Sequence, residues 1–506
     1  MDGHLPVEWA ILAIASGSMA LGNPVQSPFD VQDRSQLFVD QVLVREARKI
    51  AFTLHPARKH PANPVVRADK PWEGWRLEIY GNVIHDTDEA LFKMWYIGED
   101  PKLLPHYAAY YATSKDGVHW DKPLVGTVKL KGFDKHNVVA EQVVMPCVFK
   151  DRTDPDPARR YKMIAWLQKK DRGYHTMISP DGLNWTRYSA QPICRGADVI
   201  TGYHDESRGL YVAFPKIEQV WRGHHRRIFW IITSTDFQKW TEPKLILTPD
   251  LRDDASSLAR IEEVRPILDV PDNAGLIRTE FYGLGAYPAE SCTLAFVWVF
   301  TVNNNARYGN QEGPGELQLA VSRDLEHWER PFRVPCVPRG KLGEWDCGFF
   351  CTQSQALRVG DEVWLYYTGS NYTHGTPCLY REEGTGRGTK FIGAIGLAIW
   401  TLDRFVSADA PSEGGELTTV PLVFSGSRLE VNARTQPGGQ IVVCLCDAAG
   451  RPLQEYERSD PVQGDNLRHV VTWNGSGNVG SLAGKPVTVR FEMKGAELFA
   501  FAFRKG

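Results

Sequence analysis

The stretch SRDLEHW at 322–328 follows an apolar run, LQLAV, and the same seven-residue pattern occurs three times before it: SKDGVHW (114–120), SPDGLNW (179–185) and STDFQKW (234–240). Each copy reads Ser-x-Asp-x-x-x-Trp and each follows a strand-like run, YYAT, HTMI or FWIIT in the earlier three. A strand–turn–Trp unit repeated along a chain marks an array whose members bury their apolar faces only by stacking on one another. The Ser and Asp suit a turn in which short side chains bond nearby backbone amides, and the Trp suits the gap between neighbouring units. Successive tryptophans, Trp120, Trp185, Trp240 and Trp328, stand 65, 55 and 88 residues apart. Those lengths fit one four-stranded blade each, with an insertion in the longest. A decayed fifth copy, Trp400-Thr401-Leu402-Asp403, completes the count. The expectation is an all-β chain whose main body, 36–410, is a five-bladed β-propeller; a sixth blade would have to lie in 241–275.

Around the repeats, antiparallel strands are bounded by Asp-Gly and Gly-Asp turn signals. Blade one reads RLEIYGNVIHD, ALFKMWYIG and AAYYATS, and blade two is expected to begin on HNVVAEQVVMPCVFKD (136–151). The strand LFVDQVLV (37–44) is expected to seal the ring as the outer strand of the last blade. Beyond the linker DAPSEGGELTT (409–419) the repeat stops, and short strands such as QIVVCLC and PVTVRFEM point to a small β-sandwich over 416–504.

Composition narrows the function. A net charge of -3 over 506 residues provides no basic footprint for nucleic acid or an anionic membrane. Sixteen tryptophans and 11% aromatic residues suit both blade packing and stacking on sugar rings. Nine cysteines, with no Cys-x-x-Cys and no Cys/His cluster, argue against a zinc site and a disulfide framework, so no metal and no cofactor are expected. The N-terminal WAILAIASGSMA ends in a small-x-small site, so residues 1–20 read as a signal peptide without the usual basic start, and the expected location is secreted or periplasmic. Nothing downstream is apolar for long enough to span a membrane as a helix.

The Ser-x-Asp-x-x-x-Trp turns, of which SRDLEHWERP is the fullest, together with a C-terminal sandwich, resemble the five-bladed glycoside hydrolases of families 32 and 43. The resemblance implies hydrolysis of a glycosidic bond, with an oligo- or polysaccharide as partner and furanosides among the candidate substrates. The Asn-Asp-Pro-Asn-Gly segment of family 32 is missing. Its Arg-Asp-Pro motif has only an echo in Arg152-Thr153-Asp154-Pro155, and its Glu-Cys-Pro motif a loose counterpart around Glu280.

Glycoside hydrolysis takes one carboxylic acid to protonate the leaving oxygen and one carboxylate as nucleophile or base. In a propeller these would project from the innermost strands at the mouth of the central tunnel, so acids early in each blade's first strand are the candidates. Acids within apolar strands are costly unless paired or functional. On this reasoning Glu280 is expected as general acid, Asp198 as nucleophile or base, and Glu78 as a third carboxylate that orients substrate. Arg76 and Arg278, two residues before an acid on the same strand face, would hold hydroxyls or pair with the acids. Tyr80, Tyr282, Asn82, Trp345, Asp346, Glu141, His136 and His374 complete the expected substrate-binding set, with Trp75 a further stacking ring.

Two alternatives stand beside the glycosidase. One is a non-catalytic glycan-binding propeller. The other is a glycoside phosphorylase, for which HHRR (224–227), read as a solvated hairpin, is the one dense basic run. No Gly-x-Ser-x-Gly elbow supports a serine hydrolase.

Overall fold

The computed structural model describes residues 27–74, 76–98, 107–168, 172–307, 311–375 and 391–506. The signal-like segment, Trp75 and Cys378 therefore lie outside the described residues. The chain divides into two compact units, Pro56–Trp400 and the remainder, from Thr401–Gly506 together with the residues up to His55.

The first unit is a five-bladed β-propeller. Four consecutive sheets of four antiparallel strands begin on inner strands Leu77–Asp86, Val143–Lys150, Ile200–Asp205 and Arg278–Pro288. The fifth begins on Phe349–Thr352. Each inner strand packs on the next, and Phe349–Thr352 packs back on Leu77–Asp86, which closes the ring. Each blade starts on its inner strand, so all five inner strands start at one end of the ring; that end is here called the mouth. Gly283 shows how close the elements approach: a Cβ there would sit 2.0 Å from the Trp298 ring.

The repeats do the work expected of their residue types. In the second copy the Ser179 hydroxyl accepts from the Gly182 amide at 2.9 Å, and Asp181 Oδ1 accepts from the amides of Leu183 and Asn184 at 2.8 and 2.9 Å. The tryptophans fill the gaps between blades: Trp120 of blade one meets Tyr366 of blade five at 5.8 Å between ring centroids, and Trp328 of blade four meets Phe214 of blade three at 5.9 Å. Although its turn has decayed, Trp400 still stacks on Phe296 of blade four at 5.2 Å. The long 240–328 interval holds two short helices, Leu251–Ala255 and Ser257–Glu263, not a sixth blade.

Three boundaries differ from expectation. The ring is sealed not by 37–44 but by Arg58–Lys59, which pairs with Ala398 and Ile399 on the third strand of blade five. Residues 136–151 do not form one strand: Val138–Glu141 is the outer strand of blade one, and blade two begins at Val143, after Gln142 takes a positive φ of 62°. Finally, the propeller covers less than 36–410, because the N-terminal strands Val44–Arg48 and Ala51–Leu54 pair with Gly415–Thr419 and Val406–Ala410.

Those N-terminal strands belong to the second unit, in which ten strands are joined by hydrogen bonds. Its spine is the pair Arg428–Asp447 and Val487–Arg504, in register from Arg428↔Arg504 to Asp447↔Val487 with slips at Asn432/Ala433 and around Pro437-Gly438-Gly439. Alternate residues Leu429, Val431, Val443 and Leu445 face a buried core with Phe491, Phe501 and Phe503. The strands expected over 416–504 are present, but the sheet they form is completed by the chain's N-terminal part.

Candidate functional site

Three of the expected acids are carried to the mouth on different blades: Glu78 on blade one, Asp198 just before the inner strand of blade three, and Glu280 on blade four. On blades one and four the ladder slips immediately after the acid, between Glu78 and Asn82 and between Phe281 and Gly283. Slips of this kind bend a strand and re-aim its side chains. Between the acids lie aromatic rings that cross the ring of blades. Tyr80 of blade one stacks on Trp298 of blade four at 5.7 Å. Burial first, then the charges of Asp198 and Glu78 among other neighbours, raises the pKa of the Tyr80 and Tyr282 hydroxyls, so both phenols stay protonated beneath the carboxylates.

The acids differ in what they present. Glu280 is buried, with Oε2 on the Arg227 guanidinium at 2.5 Å and Oε1 on Arg278 at 2.7 Å. Both oxygens meet a guanidinium within the protein, which sets Glu280 apart from the other two acids. Glu78 is 13% exposed and 3.4 Å from Arg76, which also donates to the Tyr107 hydroxyl at 2.8 Å. Asp198 is the open one, its side chain 48% exposed with Oδ1 on Lys216 Nζ at 2.5 Å. Burial works against the Asp198 charge, but Lys216 and then Arg227 outweigh it and hold the carboxyl below its ordinary range.

Two cations that sequence reasoning missed complete the site. Lys216, on the second strand of blade three, is buried with its Nζ 4.3 Å from the centre of the Tyr282 ring. Arg227, also buried, lies across Tyr282 at 5.0 Å and donates to Gln311 at 2.7 Å. The HHRR run is therefore not a solvated hairpin. Its turn is Arg222-Gly223, while Arg226 and Arg227 point inward, Arg226 to Asp254 at 2.6 Å and Arg227 to Glu280. Strand alternation could have flagged Lys216, because in LYVAFPKIEQV it falls within an apolar run. Arg227 carried no such mark beside three other basic residues.

The remaining candidates scatter. His374 packs among Tyr282, Phe300 and Phe349, each at 5.0 to 5.3 Å, and burial, then Arg227, brings its pKa down to about 3. It is a neutral ring of the site's aromatic wall. Asn82 is spent between blades, donating to the Val148 carbonyl at 2.8 Å. Asp346 is buried under Lys59 and Tyr367, and Trp345 stacks on Tyr367 at 5.7 Å, so this pair belongs to the closure of blade five. Glu141 is exposed at the end of an outer strand. His136 is buried in the segment leading to that strand, its ring where a Cβ on Gly126 would be 2.0 Å away. It was expected on an inner strand and misses the mouth because blade two begins later. Among the described residues no three His, Cys, Asp or Glu side chains group as a metal site, and no helix is long and apolar enough to cross a membrane.

No family model and no curated relative match the chain. Solved structures that are similar include a glycosyl hydrolase from Bacteroides ovatus, at 12% identity over 69% of this chain and 94% of that one with a TM-score of 0.42. A β-1,2-mannobiose phosphorylase from Listeria innocua aligns at 13% identity over 69% and 97%, TM-score 0.40. An exo-inulinase from Aspergillus awamori aligns at 11% identity over 88% and 99%, TM-score 0.39. Likeness at this level assigns neither family nor substrate.

Proposed function

We propose that the chain is a glycan-acting enzyme, a glycosidase that removes a terminal sugar at the mouth of the propeller, with Asp198 and Glu78 as its reacting carboxylates. The observation that carries this reading is the contrast in how far the acids are exposed. Of the three candidates brought to the mouth, Asp198 and Glu78 are partly open, on different blades, with Tyr80 and Tyr282 near both. Asp198, kept ionised by Lys216, supplies the nucleophile or base, and Glu78 the acid that protonates the leaving oxygen. Tyr80 and Tyr282 provide ring faces and hydroxyls for a sugar. Glu280 holds Arg227 and Arg278 in place and does not itself react. A secreted or periplasmic setting agrees with the signal-like N-terminus.

The test is a panel of aryl α- and β-glycosides, furanosides included, with wild type, Asp198→Asn, Glu78→Gln and Glu280→Gln. Turnover in wild type that vanishes in the first two variants supports the reading. Full activity in Asp198→Asn would sink it. A second reading, phosphorolysis, is favoured by the three cations Lys216, Arg227 and Arg278 around the site. It is separated by adding inorganic phosphate and looking for a sugar phosphate in place of the free sugar.

A further inference from the structure

Buried lysines are rare because an ammonium taken out of water needs a strong compensating partner. Among the described residues, four lysines of the propeller have side chains almost wholly buried: Lys93, Lys122, Lys162 and Lys216. The first three each bond a carboxylate that is fully buried as well, Asp86, Glu73 and Asp151, at 2.5 to 2.8 Å. Lys216 departs from that rule. The one hydrogen-bond partner of its ammonium among the described residues is Asp198, whose side chain is 48% exposed. A half-open partner is screened by water and compensates a buried ammonium less well than a buried carboxylate does.

The surroundings fix the ammonium in place. Tyr282 supplies its ring face at 4.3 Å, and the backbone on either side is locked to the Asp198 segment, with the Ala197 amide on the Lys216 carbonyl and the Lys216 amide on the Val199 carbonyl, both at 3.0 Å. Tyr174 of blade two donates to the carbonyls of both Val199 and Lys216, at 2.7 and 3.1 Å. Lys216 is thus held through its backbone to the Asp198 segment and by the Tyr282 ring, with its ammonium bonded to Asp198.

We propose that Lys216 is a positioning residue of the site, acting through Asp198: it grips Oδ1, sets the plane of the carboxylate and leaves Oδ2 to the reacting sugar. This rests on the glycosidase reading above. The other charged or titratable groups that bear on the pair are Arg227 and Glu218 from the third and second strands of the same blade, Tyr80 and Tyr282 from blades one and four, Tyr174 from blade two, and His374. Of these, Arg227 is already committed to Glu280 and Gln311 and does not replace Lys216. Burial pulls the ammonium's own pKa down and Asp198 opposes this, so each partner depends on the other for its charge.

The experiment compares wild type, Lys216→Met and Lys216→Arg in the full chain, with two readouts. One is the titration midpoint of Asp198, followed by carboxyl NMR of aspartate-labelled protein and assigned with Asp198→Asn. The other is the pH profile of kcat on the best glycoside of the panel. Lys216→Met should raise the Asp198 midpoint by about one to three pH units. The acid limb of the pH profile should move up by the same amount, and kcat should fall by about 10²-fold with KM little changed. Lys216→Arg should restore the midpoint and part of kcat. An unchanged midpoint and profile in Lys216→Met overturn the proposal. If no glycoside is turned over while the midpoint still moves, the glycosidase reading fails and the hold of Lys216 on Asp198 stands.

Discussion

The two ends of the propeller use the same residue types to opposite effect. At the far end, where the inner strands finish, Asp86 accepts from Lys93 at 2.8 Å, Lys150 at 2.6 Å and the Tyr161 hydroxyl of the next blade at 2.9 Å. Asp151 repeats the arrangement one blade on, with Lys162 at 2.5 Å and the Tyr211 hydroxyl of blade three at 2.5 Å. These aspartates are buried, every oxygen is bonded, and each joins a lysine of its own blade to partners from the next, Lys150 and Tyr161 at Asp86 and Tyr211 at Asp151, so they staple blades together. At the mouth, Asp198 also has a lysine and tyrosines nearby, but one oxygen is held and the side chain is half open. A carboxylate whose bonds are all satisfied is structure, and one left partly open next to a rigid cation is available for chemistry. The Arg152-Thr153-Asp154-Pro155 echo falls on the structural side: Asp154 is bonded to Lys162 and Arg159 beside Asp151.

That contrast is broken most sharply by removing one carboxylate at each end. Asp198→Asn is expected to cut kcat by about 10³- to 10⁴-fold, some 4 to 5.5 kcal/mol at the transition state, with a stability loss smaller than that of Asp151→Asn, because the half-open side chain lets water reach the Lys216 ammonium. Asp151→Asn should do the reverse, costing about 3 kcal/mol of stability because Lys162 is left buried without its main partner, with kcat of the folded fraction unchanged. Activity lost in Asp151→Asn at full stability would erase the distinction between the ends.

Acid separates the ends more gently. At Asp86 and Asp151 burial disfavours the charge, but the lysines and the tyrosine hydroxyls outweigh it and hold both carboxyls well below the ordinary range. A lowered folded-state pKa stabilises the protein above the unfolded value, near 3.9, and that contribution is lost as pH falls below it. The stability difference between wild type and Asp86→Asn, read from urea midpoints, should therefore be constant from pH 7 to about 5 and shrink between about pH 4 and 2. The smallest effect belongs to the repeats. Asp181→Ala removes an acceptor from two exposed turn amides, worth about 1 kcal/mol of stability by thermal unfolding, and should not touch kcat.

How much of this was legible beforehand differs by level. The four Ser-x-Asp-x-x-x-Trp turns announced blade number and blade packing, because each depends on residues within seven positions of one another. The second repeat, an Asp ending an inner strand met by a Tyr of the next blade, went unread: Asp86 and Tyr161 stand 75 residues apart and no spacing rule links them. Among the acids, Glu78, Asp198 and Glu280 were found as charged residues early in their blades, but the clamp on Glu280 was not foreseen. Its partner Arg227 lies 53 residues upstream in a run that looked solvated. His136 and Glu141 were placed on an inner strand because one apolar stretch hid a change of blade at Gln142.

Local chemistry, then, settled the propeller from the sequence alone: turn caps, strand alternation and a recurring Trp are short-range demands that any fold of this chain must meet. Which carboxylate is clamped and which is open depended on side chains from different blades converging around one axis. So did the place of Lys216 under Asp198. The sealing of the ring by Arg58–Lys59, not by the longer apolar strand before it, was likewise a matter of which partner remained unpaired once the blades had closed. Long-range pairings of this kind follow from geometry that only the closed ring supplies.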